Sequence, residues 1–161
     1  ADLVKNNICA LFIHPDFDAD LMIVGDGTLL AQLTQKYEYH PRISFQGRLP
    51  RERTLSLIAV AETLIFPSIC LENAPGSILE ALVLGVPVIA SNVGGVSELV
   101  RENQTGWLVP PGDVQVLART IRHVLEHPKE MEMLRERLLD HKQISALEYA
   151  KKLEIFMDSL S

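Results

Sequence analysis

From Asp20 to Val109 the chain alternates short apolar runs with helix-length amphipathic ones, and no other feature of the sequence constrains the fold as strongly. The short runs are DLMIVG (20–25), RISFQG (42–47), TLIFPS (63–68), VPVIAS (86–91) and GWLVP (106–110). They are rich in Val, Ile or Phe and bounded by Gly, Pro or Ser, as strands covered on both faces are. Helical patterns fall between them, near 28–38, 51–61, 76–84 and 95–101. This order of elements predicts a doubly wound, Rossmann-like parallel sheet with right-handed crossovers, in the α/β class.

After Pro110-Pro111-Gly112 the pattern becomes purely helical. Asp113 is placed to cap a helix carrying Leu117, Ile121 and Leu125, and Pro128 stops it. A second helix carries Met131, Leu134 and Leu138, and a third carries Ile144, Leu147, Leu153 and Met157; these C-terminal helices are expected to pack over the sheet. The opening segment NNICALFIH (6–14) reads as a helix. That reading puts the first strand upstream of Ala1, so residues 1–161 are expected to be one domain clipped from a longer protein.

A chain of 161 residues with 47% hydrophobic residues is long enough for one well-buried core. Its net charge of -6 argues against nucleic acid as a partner and against an acidic membrane surface. Cys9 and Cys70 are the only cysteines and fit no zinc or C-x-x-C spacing, so they read as reduced thiols of a cytosolic protein. No apolar run reaches the roughly 18 residues of a membrane span.

In open parallel sheets ligands bind beyond the carboxyl ends of the strands. The loop after Pro67 runs into LENAPGSILE (71–80), where two carboxylates bracket a Pro-Gly turn among core-like residues. A carboxylate removed from water needs either a structural cation or a ligand. A helix starting at Gly76 or Ser77 would offer the free amides of Gly76, Ser77 and Ile78, backed by the helix dipole, to a phosphate. Glu80, one turn further on, is an acceptor-only group placed to take both hydroxyls of a ribose. Phosphate and ribose sites at this spacing describe a nucleotide.

Several other motifs carry less. GDGTLL (25–30) has Leu30 in place of the third glycine of a dinucleotide fingerprint. PDFDAD (15–20) precedes a strand and reads as a solvated turn. HVLEH (123–127) has the spacing of a zinc helix but ends at Pro128 with no evident third ligand. Trp107 reads as a core residue.

The spacing E-x7-E from Glu72 to Glu80, followed by LEALVLGVPVIASNVGGVSELV and TGWLVPPGD, resembles the donor-binding C-terminal domain of family 4 (group 1) retaining glycosyltransferases, one half of a GT-B fold. IVGDG (23–27) and ISFQGRLP (43–50) fall where that family has similar segments. The resemblance implies a nucleotide diphosphate sugar donor, such as a UDP- or GDP-sugar, with no cofactor and no metal. Glu80 would bind the ribose and Glu72 would face the donor sugar as the catalytic-site carboxylate. The backbone of Gly76, Ser77 and Ile78 would hold the diphosphate. Gly47, Arg48 and Leu49 would border the base, and Gly94 and Gly95 would approach the donor pocket. The family also pairs an Arg and a Lys with the diphosphate; here Lys5 stands at the Lys position, while Asp2 occupies the Arg region.

The acceptor, a glycan or a lipid-linked sugar, would sit on a missing N-terminal domain. The full-length enzyme would be cytoplasmic, or peripheral on the inner face of the membrane, in polysaccharide synthesis. Two rivals are a GT-B-like nucleotide-sugar epimerase, which acts without acceptor, and a non-catalytic Rossmann-like binding domain, which has no nucleotide affinity.

Overall fold

The computed structural model describes residues 19–140, together with the backbone of Cys9–Ile13. One six-stranded sheet contains β1 (Cys9–Ile13), β2 (Asp20–Val24), β3 (Ile43–Gly47), β4 (Thr63–Phe66), β5 (Val88–Ser91) and β6 (Gly106–Val109). The intervening helices are α1 (Leu30–Lys36), α2 (Arg51–Val60), α3 (Gly76–Val83) and α4 (Val96–Leu99). Two more follow the sheet: α5 (Val114–Glu126) and α6 over residues 128–140. The strand order is β3-β2-β1-β4-β5-β6.

Each strand expected between residues 20 and 110 is present, and β2–β3, β4–β5 and β5–β6 pair in parallel. The opening segment differs from expectation. Residues 9–13 form a strand rather than part of a helix, and β1 runs antiparallel to both β2 and β4. CALFI is apolar throughout, so it has no period that separates a buried strand from a buried helix, and the sheet's central position decides the matter. The inference of a first strand upstream of Ala1 was drawn from that helix; the described residues show β1 between β2 and β4 in the sheet. Because β1 is antiparallel to both neighbours, β2, β3, β4, β5 and β6 still point one way, and their carboxyl ends share one rim.

Strand residues alternate between two covered faces. On one face Leu64, Phe66, Val88 and Ala90 pack with Ile58 of α2, Ile78 and Ala81 of α3, and Val96 of α4. On the other, Ile65, Ile89, Trp107 and Val109 pack with Val124 of α5 and with Met131 and Leu134 of α6. Leu138 is buried as well, so the three apolar residues expected on α6 all face inward. Trp107 lies in this second layer at 5% exposure, as a core residue. Full burial of each such side chain contributes about 1.5–3 kcal/mol.

Local chemistry sets the helix ends. Asp113 caps α5 as expected, its Oδ1 accepting from the Val116 amide at 2.9 Å. The α3 helix closes on Gly85 at φ +76, with Val86 N–H donating to Ala81 O (2.9 Å) and Gly85 N–H to Leu82 O (3.1 Å). Two bonds of this kind around a left-handed glycine satisfy the last carbonyls of the helix. Arg135 of α6 donates to Ala61 O at 2.6 Å and Ala59 O at 3.4 Å, tying α6 to the carbonyl end of α2. The third helix expected over 144–157 lies outside the described residues, and so do Asp2, Lys5 and most of the PDFDAD turn.

Candidate functional site

The rim at the carboxyl ends of β2 to β6 gathers the loops at 25–28, 47–50, 67–75, 92–95 and 110–113. Two of them are locked together. The Gly95 amide donates to Glu72 O at 2.9 Å. A methyl group at Gly94 would meet the Glu72 carbonyl oxygen, and one at Gly95 the Asn73 carbonyl oxygen. Gly94 also holds φ +53. The Gly94-Gly95 turn therefore presses on the backbone of the Glu72 loop, and only glycine permits that approach.

That loop ends in an uncapped helix. Pro75 occupies the N-cap of α3 and offers no side-chain acceptor. Among the described residues the amides of Gly76 and Ser77 have no partner, whereas Ile78 N–H donates to Pro75 O at 3.1 Å and Leu79 N–H to the same oxygen at 3.3 Å. Ile78 thus differs from expectation: its amide is engaged and its side chain is fully buried in the core. The available donors are those of Gly76 and Ser77, at the positive end of the helix dipole. A methyl group added at Gly76 would meet nothing within 4 Å, so the approach to these amides is open.

Glu80 lies one turn into α3 with its side chain 24% exposed, and it has a partner. Arg51, the first residue of α2, donates from Nε to Glu80 Oε1 at 3.0 Å. A carboxylate placed here takes either a structural cation or a ligand, and in the free chain the cation takes one oxygen. The Arg51 side chain is 78% exposed. A pair so open to water contributes about 0–1 kcal/mol. Hydrogen bonds from a ligand to a charged acceptor are worth about 1.5–3 kcal/mol, so ligand hydroxyls can displace the arginine. Nothing local in the sequence signalled Arg51, which stands 29 residues from its partner. The available signal was topological, because helices that follow parallel strands start at one rim, and α2 and α3 are neighbours.

Glu72 is half-buried in the loop, and its carboxylate has no partner among the described residues. Gly47 holds φ +62 at the end of β3 and accepts from the Gly25 amide at 2.8 Å. Arg48 is exposed and stands 3.9 Å from Asp26, while Leu49 packs against the core beneath, leaving its backbone at the rim. Two cavities of about 330 and 340 Å3 lie away from the rim, one along α5 and one between the 98–105 segment and α6.

At the far end of α5, His123 pairs with Glu130 at 3.2 Å and His127 Nδ1 lies 2.8 Å from His123 O. Among the described residues no three or more His, Cys, Asp or Glu side chains form a group able to hold a metal ion. No helix among them is long and apolar enough to cross a membrane.

Residues 7–139 match the family model described as glycosyl transferases group 1. The chain is 33% identical over 114 residues to the 2-deoxystreptamine glucosyltransferase of Streptomyces kanamyceticus, covering 69% of this chain and 29% of that one. It is 34% identical over 120 residues to the glycogen synthase of Mycobacterium tuberculosis, covering 71% and 28%. It therefore spans under a third of the length of these curated relatives. Among solved structures, Anabaena Alr3699/HepE in complex with UDP superposes with a TM-score of 0.72 at 23% identity, over 86% of this chain and 40% of that one. The sucrose-phosphate synthase of Thermosynechococcus elongatus superposes with a TM-score of 0.70 at 26% identity, over 87% and 39%.

Proposed function

Because the chain belongs to the group 1 glycosyltransferases, we propose that its rim crevice binds the nucleotide diphosphate sugar donor of a retaining sugar transfer. The observation that carries this reading is the uncapped start of α3, with the Gly76 and Ser77 amides free and Glu80 one turn behind them. These amides and the helix dipole hold the diphosphate, and Glu80 accepts the ribose hydroxyls once Arg51 has moved aside. Glu72 faces the donor sugar from the loop that the Gly94-Gly95 turn fixes. Gly47, Arg48 and the Leu49 backbone border the base. The presence of UDP in the HepE neighbour favours a uridine donor.

No metal is needed in this scheme. Charge develops on the departing diphosphate, and preorganised N–H groups at a helix start stabilise it without reorganising. Attack comes from the face that the diphosphate leaves, which retains the anomeric configuration. The acceptor oxygen bonds to the anomeric carbon as the bond from that carbon to phosphate breaks, and the hydroxyl proton passes to a phosphate oxygen. The acceptor, a glycan or lipid-linked sugar, is bound by parts of the protein outside this chain, so residues 1–161 alone bind donor and transfer nothing. The whole enzyme works in the cytoplasm or peripherally on the membrane's inner face.

Titration of the chain with UDP-, GDP- and ADP-sugars tests this, with Glu80→Ala as control. One sugar nucleotide should bind saturably, and the variant should lose about 1–3 kcal/mol, the cost of removing a charged acceptor. Equal affinity in the two proteins would remove Glu80 from the site.

A further inference from the structure

Resting on the donor-site reading above, we infer that Arg51 is a positioning residue that holds Glu80 in the free chain and turns to the donor's diphosphate when ribose takes the carboxylate. The Arg51 Nε to Glu80 Oε1 contact of 3.0 Å occupies the oxygen that the ribose needs, so binding exchanges one partner for another. Exposure decides which side chain moves. Glu80 is 24% exposed and set in a packed helix, whereas Arg51 is 78% exposed at the first position of α2, on a long and largely solvated stem.

The destination follows from charge. Gly76 precedes Glu80 by four residues, about 6 Å along the α3 axis, so a released guanidinium at Glu80 is already beside the diphosphate site. The other arginine flanking Pro50, Arg48, faces Asp26 at 3.9 Å. A planar guanidinium suits phosphate oxygens and remains charged at every working pH. The exchange makes the same residue a competitor of the ribose and an ally of the diphosphate.

Those two roles have opposite signs, which gives the test. Uridine, guanosine and their diphosphates are titrated against the chain and against Arg51→Gln, with urea unfolding as a check that the variant folds equally well. A nucleoside meets only the competition. The variant should bind it up to about fivefold more tightly, the factor that corresponds to losing an exposed pair of about 1 kcal/mol. The diphosphate meets the cation as well, and the variant should bind it severalfold more weakly. Changes of the same sign for nucleoside and diphosphate, or no change in either, would overturn the inference while leaving the donor site intact. Absence of diphosphate binding by the unaltered chain would remove the donor-site reading and this inference with it.

Discussion

At the residue scale the two kinds of glycine at the rim separate structural from ligand-directed roles. Gly95 is structural, because any side chain there strikes the Asn73 carbonyl. Gly95→Ala should lower stability by about 1–3 kcal/mol, as forced overpacking does, read from the urea unfolding midpoint. Gly76 has open space where a side chain would go. Gly76→Ala should leave stability unchanged or raise it by up to about 1 kcal/mol, since alanine suits a helix better, while weakening donor binding by crowding the phosphate. Stability lost at 76 together with binding would contradict this division. Gly76 and Glu80 were legible as candidates in the sequence because a Pro-Gly turn ahead of an apolar run marks a helix start, whereas Gly94 and Gly95 came only with the family resemblance. Arg51 was not, because an exposed arginine in a first turn looks like any solvated charge until its neighbour helix is placed.

At the element scale, helix ends decide how firmly the scaffold holds the rim. The Asp113 cap was readable from one residue and its followers, and Asp113→Ala should cost about 1 kcal/mol in unfolding free energy. Arg135 is the opposite case, reaching carbonyls 74 and 76 residues away in sequence. Arg135→Ala should cost about 1–3 kcal/mol, because it removes a charged donor from two carbonyls at the end of α2. A midpoint unmoved by that change would show α6 held by Met131, Leu134 and Leu138 alone. Strands β4 to β6 were legible because runs covered on both faces are apolar, short and flanked by breakers, whereas β3 leaves Ser44 and Gln46 exposed and was legible from its short run ending in glycine. The five apolar residues of β1 have no such period, and nothing in them specifies strand direction, which depends on pairing with β2 and β4.

At the scale of the whole molecule, two apolar layers clamp one sheet, and the layer built on Trp107 joins β6 to α5 and α6. Trp107→Ala should cost about 3–5 kcal/mol, enough to threaten a domain of ordinary stability, and the loss would be seen as a large drop in melting temperature. Such a scaffold gathers the carboxyl ends of β2 to β6 at one rim. The central claim is that the free amides at the start of α3 hold the phosphates of a nucleotide. Backbone amide NMR during titration with UDP measures this most directly. The account predicts large, saturable shifts for Gly76 and Ser77, accompanied by Gly94 and Gly95, with the amides of α5 unmoved. Saturable binding that leaves Gly76 and Ser77 unshifted while amides elsewhere respond would contradict it.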